Sequence, residues 1–187
     1  PKTQTELLNA IKTAKNFRFG AGYTDLILDM KKSDEVNYTI INLAQLNDLT
    51  FTGIERASRV LRIGALATAA QIVNDKLIAE NFPVLHQAAN SLASSQIRQV
   101  ATVGGNLCTA SPSGDIACAL VAIQAQCEVL SASGKLRMIP ITDFFIGPRK
   151  TAIRDDEILR SVMLPMNETY HEVHSGFIKV GTRRSME

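Results

Sequence analysis

The segment Ala101-Thr102-Val103-Gly104-Gly105-Asn106-Leu107 predicts a loop in which the backbone can approach a ligand closely. Two adjacent glycines follow a short β-branched run, and glycine adopts positive φ at no steric cost. Successive N–H groups in such a loop form a concave nest that suits a phosphate or pyrophosphate. A tight turn between a strand and a helix is the simpler interpretation, and this segment alone does not exclude it.

A second glycine-rich segment, Gly20-Ala21-Gly22-Tyr23-Thr24-Asp25, favours the anion-binding interpretation. It lies between a predicted strand at residues 17–19 and a predicted helix that begins near Leu26. The N–H groups at the start of a helix point towards an anion bound there. Two loops of one design therefore favour a ligand-binding role for Gly104 and Gly105 over a purely conformational one.

Polar side chains near the double glycine can add hydrogen bonds to such a ligand. Thr102 and Asn106 flank the glycines, and Asp115 precedes the apolar run at residues 116–125, which predicts a helix. A helix that begins there would place further N–H donors beside the loop. The sequence shows no convincing acid–base pair, so we assign no catalytic residue.

The composition is that of an ordinary globular protein and excludes several classes of function. The 187 residues suit one domain or two small subdomains, with 45% hydrophobic and 20% charged residues. The net charge is +2 and the basic residues are scattered, so nothing indicates nucleic-acid binding. The longest apolar run, residues 116–125, is much shorter than the roughly 20 residues that span a bilayer.

The three cysteines, Cys108, Cys118 and Cys127, match no spacing typical of zinc or iron–sulfur ligands. We therefore predict no metal site, and we predict reduced thiols in a cytoplasmic protein. Cys108 follows the double glycine closely, but packing is favoured over ligand contact as its role. The sequence begins at Pro1 without a methionine and shows no signal peptide, and we expect it to be a fragment.

Hydrophobic patterns along the chain predict an α+β fold. Residues 3–6 resemble a capping box before a first helix, and apolar runs separated by turn residues predict hairpins at 49–63 and 127–139. The pattern predicts a loop at residues 143–150 and strands at 38–41, 158–164 and 177–180. Early alternation of strands and helices followed by hairpins indicates a small parallel subdomain and a larger, mainly antiparallel one.

These motifs occur in an order that resembles the FAD-binding, or medium, subunit of the xanthine dehydrogenase and molybdenum hydroxylase family. The resemblance covers nearly the whole chain. The matching segments are residues 22–26, Gln96-Ile97-Arg98, residues 101–107, Ala110-Ser111-Pro112 with Asp115, Asp143-Phe144-Phe145, residues 147–151, Asp156-Glu157-Ile158-Leu159, and Phe177 and Lys179 followed by Arg183-Arg184. Each motif is weak by itself, but so many in one order form a specific signal.

The resemblance implies a two-subdomain FAD-binding fold of the vanillyl-alcohol-oxidase or PCMH-like type. FAD would lie extended between a small βα subdomain at about residues 1–55 and a larger one at about residues 56–187, with both glycine-rich segments holding the pyrophosphate. Asp115 would accept hydrogen bonds from sugar hydroxyls as an ionised carboxylate, which needs no metal, and Leu92 would pack on the cofactor. Leu159 would bring its backbone to the pyrimidine edge of the flavin, and Lys179 would bring its ammonium to the same end. The cofactor-binding residues implied are Phe19, Gly20, Ala21, Gly22, Tyr23, Thr24, Asp25, Leu26, Leu92, Thr102, Gly104, Gly105, Asn106, Asp115, Leu159 and Lys179.

The function implied is that of an electron-transfer subunit of a molybdenum-containing hydroxylase or dehydrogenase. Electrons would pass from iron–sulfur clusters on one partner subunit through FAD to NAD or another acceptor. A second partner subunit, with the molybdenum cofactor, would hydroxylate the substrate. Two alternatives remain open at this point: a stand-alone flavin reductase of the same fold, such as the peptidoglycan-precursor reductase, and a scaffold that has lost its flavin.

Two residues depart from the family pattern, and we expect the family's C-terminal domain to be absent. Tyr23 stands where the family usually has a small residue, so its ring either turns outward or stacks on the cofactor. Gln99 stands where Asn is common, which is a mild change. The family's chains normally continue into a further C-terminal domain that this sequence lacks, which leaves FAD binding plausible and puts assembly with partners in doubt.

Overall fold

A computed structural model describes residues 1–32, 37–166 and 175–180 of the chain. The helices are α1 (Gln4–Thr13), α2 (Leu26–Lys32), α3 (Leu49–Thr52), α4 (Ala69–Asn74), α5 (Lys76–Asn81), α6 (Pro83–Ser91), α7 (Ser95–Val100), α8 (Val103–Thr109), α9 (Asp115–Ala122) and α10 (Ile141–Phe144). The strands are β1 (Phe17–Gly20), β2 (Thr39–Asn42), β3 (Ile54–Ala57), β4 (Val60–Gly64), β5 (Gln126–Ser131), β6 (Leu136–Pro140), β7 (Phe145–Gly147), β8 (Lys150–Thr151) and β9 (Glu157–Pro165).

The N-terminal part is built around a parallel pair of short strands. The predicted first helix, α1, begins at Thr3, whose hydroxyl accepts a hydrogen bond from the backbone N–H of Glu6. Strand β1 pairs in parallel with β2, and α2 connects them, although residues 33–36 of the connection lie outside the described part. In such βαβ arrangements ligands bind beyond the carboxyl ends of the strands, which here is the loop after Gly20.

The larger part contains a five-stranded antiparallel sheet in the order β3-β4-β9-β5-β6. Both predicted hairpins are present, β3–β4 and β5–β6, and the latter turns at Gly134 with φ +85°. The predicted strand at residues 49–54 is wrong in its first half, because Asp48 caps the backbone N–H of Thr50 and starts helix α3 instead. Strand β9 lies in the centre of the sheet, as its continuous burial requires.

Buried apolar side chains form two clusters. One contains Leu7 and Ile11 of α1, Ile41 of β2 and Phe51 of α3, together with Leu130, Ala132 and Ile158 from the large sheet. The other, larger cluster lies between the helices α4 to α9 and the large sheet. The subdomain boundary near residue 55 stays a prediction, since the first cluster draws on both sides of it.

Two local predictions are wrong. Residues 143–150 form the end of α10 and the small hairpin β7–β8 rather than a plain loop. Residues 177–180 belong to no strand, because their alternating pattern finds no neighbouring strand to pair with among the residues that the structure describes. They are held instead by Gln87, whose Oε1 accepts from the N–H of Phe177 at 2.8 Å, and by a side-chain contact of Lys179. Arg183 and Arg184 lie outside the described residues.

Across the described residues, none of the helices combines the length and the apolar character needed to cross a bilayer.

Candidate functional site

A cleft of about 680 Å3 opens between the loop after β1, the N-terminal ends of α8 and α9, and the start of β9. This volume is within the usual range of about 300–1,000 Å3 for small-molecule sites. Every residue predicted to bind the cofactor lines the cleft except Gly20, which lies beneath the ring of Tyr23. The lining residues from that prediction are Phe19, Ala21, Gly22, Tyr23, Thr24, Asp25, Leu26, Leu92, Thr102, Gly104, Gly105, Asn106, Asp115, Leu159 and Lys179.

The loop at residues 21–26, which we call the donor loop, presents unused backbone donors to the cleft. Among the described residues no acceptor bonds to its N–H groups, whereas the carbonyl of Tyr23 accepts the first hydrogen bond of α2 from Ile27. Tyr23 has φ +61°, a left-handed conformation that turns successive N–H groups towards the same side. The donor loop is therefore the part of the cleft best equipped to hold an anion.

Gly22 fixes the donor loop against helix α7. A Cβ atom at residue 22 would overlap the carbonyl oxygen of Val100 and lie 2.7 Å from its carbonyl carbon. No side chain fits there unless one of the two backbones moves. Gly22 is thus required for close packing of two backbone segments.

The double glycine has a different conformation from the one predicted. Gly104 and Gly105 lie in the first turn of α8, neither has positive φ, and the hydroxyl of Thr102 caps the helix by accepting from the N–H of Gly105 at 3.0 Å. The N–H of Gly104 donates to the carbonyl of Ala65 at 2.7 Å. Both N–H groups are occupied, so the expectation that this segment holds an anion through them is not supported.

The two glycines differ in what surrounds them. A Cβ at residue 104 would lie 2.8 Å from the carbonyl oxygen of Ala65 and 2.9 Å from its Cβ, so Gly104 allows α8 to pack on the segment after β4. A Cβ at residue 105 would meet only Thr102 Oγ1, at 2.9 Å, and otherwise open space. Because Gly105 lines the cleft, a side chain there would project into it.

Asp115 and Lys179 form an ion pair in the cleft wall. Lys179 Nζ donates to Asp115 Oδ2 at 2.9 Å, and both side chains are largely buried. Asn106 Oδ1 accepts from the N–H of Ala117 at 3.0 Å and so ties α8 to α9. The resemblance assigns Asp115 to sugar hydroxyls and Lys179 to the flavin. The ion pair shows that these two side chains are in direct contact.

Glu157, at the start of β9, organises the wall that leads to Leu159. Its carboxylate accepts from Arg137 Nε at 2.8 Å, from Arg137 Nη2 at 2.7 Å and from the N–H of Arg154 at 2.9 Å. Arg137 also donates to the carbonyl of Ala152 at 2.8 Å. The pKa of Glu157 lies below its usual value, mainly because Arg137 donates hydrogen bonds to the carboxylate. Burial acts in the opposite direction and raises this pKa.

Acidification should weaken the fold through this carboxylate. The folded-state pKa of Glu157 lies below its unfolded value, so its contribution is complete above the unfolded pKa and is lost as the pH falls through the folded pKa. We expect Glu157→Gln to lower the melting temperature at pH 7 and to differ progressively less from the wild type towards pH 3. Thermal denaturation at a series of pH values measures this. A constant difference across that range would show that the carboxylate's charge contributes nothing.

Cys108 lies at the cleft, and its side chain is exposed. The expectation that packing is its main role is therefore not supported.

Several lining residues were not predicted from the sequence. Glu157 belongs to a quoted motif, and its acidic character in an apolar strand was a usable signal. Ala65 and Leu66, which follow β4, belong to no recognisable sequence pattern. Nothing in the sequence around Ala93 indicates that its φ is +42°. Arg98, which belongs to a quoted motif, donates to the carbonyls of Leu92 and Ala93 and closes the end of α6.

Within residues 1–32, 37–166 and 175–180, no group of three or more His, Cys, Asp or Glu side chains could hold a metal ion.

Comparison with protein families matches residues 1–167 to the FAD binding domain in molybdopterin dehydrogenase. The xanthine dehydrogenase FAD-binding subunit of Escherichia coli O157:H7 is 33% identical over 188 residues, covering 99% of this chain and 62% of that protein. The nicotinate dehydrogenase FAD-subunit of Eubacterium barkeri is 33% identical over 169 residues, covering 89% of this chain and 55% of that protein. The chain thus spans somewhat over half the length of these relatives.

Solved structures share the fold. Reconstituted CO dehydrogenase from Oligotropha carboxidovorans superposes with a TM-score of 0.83 at 25% identity, over 90% of this chain and 58% of that one. Quinoline 2-oxidoreductase from Pseudomonas putida 86 gives a TM-score of 0.83 at 21% identity, again over 90% of this chain and 58% of the other. The predicted α+β fold, with a small parallel part and a larger antiparallel sheet, is confirmed.

Proposed function

The chain belongs to the family of FAD-binding domains in molybdopterin dehydrogenases, with FAD as its cofactor, and from this premise we propose that the cleft holds FAD and passes electrons through it. The observation that carries the proposal is the donor loop: its residues 21–26 line the cleft, and their N–H groups have no described acceptor. Backbone donors arranged in this way suit the pyrophosphate, the most anionic part of FAD.

The remaining lining residues fit the rest of such a ligand. Gly105 leaves open space where a side chain would otherwise intrude, and Leu92 offers an apolar surface. Asp115 keeps one carboxylate oxygen, Oδ1, without a described partner and can accept from a ribityl or ribose hydroxyl. FAD supplies two-electron chemistry when bound, and this chain orients the cofactor and sets the charge around its ring. Leu159 and Lys179 are the residues that we assign to the flavin end.

We assign the chain the role of the electron-transfer subunit of a larger enzyme. Iron–sulfur and molybdenum-cofactor subunits would be its partners, NAD or another acceptor would take the electrons, and the assembly would be cytoplasmic. Relatives named as an FAD-binding subunit, an FAD-subunit and a medium chain support a multi-subunit arrangement. The family match favours this function over a stand-alone flavin reductase and over a flavin-free scaffold. Residues 1–55 and 56–187 would be the two subdomains on either side of the cofactor.

The absorption spectrum of the purified full chain tests the proposal. We expect one FAD per chain after reconstitution, seen as a yellow protein with flavin bands that gel filtration does not remove. A chain that stays colourless in excess FAD would overturn the proposal. Co-purification of iron–sulfur and molybdenum subunits with the tagged chain then distinguishes an electron-transfer subunit from a reductase that works alone.

Lys179→Ala should lower the two-electron reduction potential of the bound flavin while leaving FAD bound. A cation near the ring stabilises the reduced flavin, which is more negative than the oxidised form, so its removal disfavours reduction. A loss of about 1.4 kcal/mol corresponds to roughly 30 mV. Redox titration with a dye of known potential measures the shift.

Two further variants complete that experiment. Asp115→Asn removes the anion that pairs with Lys179, and we expect it to shift the potential in the opposite direction. Leu159→Met retains the backbone contact and most of the core packing of a side chain that is 2% exposed, so the potential should stay unchanged. An unchanged potential in Lys179→Ala would remove Lys179 from the flavin site.

A further inference from the structure

We propose that the phenol hydroxyl of Tyr23 donates a hydrogen bond to a phosphate oxygen of the bound FAD and thereby determines how tightly this chain holds its cofactor. This inference deepens the proposed function and rests on it. It concerns Tyr23, the residue of the donor loop at which this chain has a large side chain in place of a small one. Four structural observations support it.

The first observation is the backbone conformation of Tyr23. Its φ of +61° lies in the left-handed region, which an aromatic residue adopts only at an energetic cost. Glycine would adopt this conformation without that cost. A strained residue persists where the surrounding structure over-determines its conformation, and here the strained residue lines the cleft.

The second observation is the position of the ring. The outer ring atoms and the hydroxyl of Tyr23 occupy the space that a Cβ of Gly20 would need. The side chain is thus folded back over the end of β1, beside the donor loop and at the floor of the cleft that Tyr23 lines. Residue 20 must be glycine for this arrangement, which explains why Gly20 belongs to the site without itself lining the cleft.

The third observation is that the hydroxyl has no partner. Among the described residues nothing bonds to Tyr23 Oη, although the side chain is half-buried. A tyrosine hydroxyl in such a position usually finds a hydrogen-bond partner. Its proton is therefore available to a ligand in the cleft.

The fourth observation is that this hydroxyl belongs to a loop with other unused hydrogen-bond donors. The unused N–H groups at residues 21–26 belong to the same loop, so the phenol adds one more donor to a group of donors. A set of donors without acceptors selects the most negative part of a dinucleotide, which is its pyrophosphate. Hydrogen bonds from a neutral donor to an anionic oxygen are stronger than those between neutral groups.

The experiment measures FAD affinity and apoprotein stability for three variants of the full chain. Tyr23→Phe keeps the ring and the backbone strain and removes only the hydroxyl, so we expect FAD affinity to fall about tenfold or more with an unchanged apoprotein melting temperature. Tyr23→Gly should weaken FAD binding similarly while raising the apoprotein melting temperature, because the strain is relieved. Tyr38→Phe is the matched control, since Tyr38 lies outside the cleft beneath Arg18 and should bind FAD normally.

Fluorescence titration with FAD gives the affinities, and ADP as a competitor gives the same comparison for a ligand that has the pyrophosphate but no flavin. Equal losses for FAD and ADP in Tyr23→Phe support a phosphate contact. A Tyr23→Phe variant that binds FAD as tightly as the wild type overturns the inference, and weak binding confined to Tyr23→Gly would then assign the effect to ring packing. A loss for FAD without any for ADP also overturns it. Failure of the wild type to bind FAD would be a failure of the proposed function itself.

Discussion

A Gly105→Val variant is expected to fold like the wild type and to be purified without flavin. The Cβ position of residue 105 meets only Thr102 Oγ1, and the branched side chain would project into the cleft that the residue lines. Forcing a ligand against an added side chain costs about 1–3 kcal/mol, which at the upper end is roughly a 100-fold loss of affinity. Displacing the Thr102 cap costs the fold only about 1 kcal/mol. Circular dichroism and the flavin absorbance of the same sample give both results.

Gly104→Val provides the comparison that isolates the cleft from the fold. Its Cβ would lie 2.8 Å from the carbonyl oxygen of Ala65, within the contact between α8 and the segment after β4, so we expect poor folding and loss of FAD together. If Gly105→Val retained stoichiometric FAD, the cofactor would not pass over the start of α8. If both variants unfolded, the open space at residue 105 would not be a ligand site.

A Gly22→Ala variant should lose both stability and FAD. The new Cβ would overlap the carbonyl of Val100, so the donor loop or the end of α7 has to move. Overpacking of this kind costs up to about 3 kcal/mol, which for a chain of this size lowers the melting temperature by roughly 6–12 °C. Movement of the donor loop would also misplace the backbone donors at residues 21–26. Differential scanning fluorimetry of the apoprotein, followed by FAD titration, measures the two effects.

Gly147→Ala is the matched control for that experiment. A Cβ at residue 147 has no other atom within 4 Å, and its backbone does not have positive φ, so alanine should be tolerated there. A Gly22→Ala protein as stable as Gly147→Ala, with normal FAD binding, would contradict the close packing of the donor loop on Val100.

The double glycine shows why the local sequence predicted the wrong backbone conformation. Gly-Gly is unfavourable within a helix, so a loop was the reasonable prediction. Two features that depend on tertiary structure decide otherwise: the hydroxyl of Thr102 caps the helix, and Gly104 packs on Ala65. Ala65 is distant in sequence and follows no motif. Both glycines do line the cleft, but their N–H groups are occupied, and only the packed structure shows this.

In residues 177–180 the side-chain pattern was predicted correctly, but the strand was not. Alternation in Phe177-Ile178-Lys179-Val180 is typical of a strand, and the structure keeps the alternation: Ile178 and Val180 are exposed, whereas Phe177 packs on the core and Lys179 reaches Asp115. A strand also requires a partner with free backbone groups, and sequence alternation carries no information on that partner. By contrast, the turn and the pairing of both hairpins were predicted correctly, although β3 begins only at Ile54, because the paired strands and their turn residues lie close together in the sequence.

Because β9 lies in the centre of the sheet, the sheet cannot be completed on the ribosome until β9 has been synthesised. Strand β4 ends at Gly64, whereas the strand that pairs with it begins only at Glu157. At about 5–20 residues per second, translation of the intervening chain takes roughly 5–20 seconds. During that time the inner edge of the β3–β4 hairpin lacks its neighbour, and the β5–β6 hairpin adds a second open edge once β6 ends at Pro140. Open edges of this kind promote aggregation. Lys179 emerges later still, so FAD should be loaded only after β9 and Lys179 have been synthesised, and this chain should depend on chaperones during synthesis.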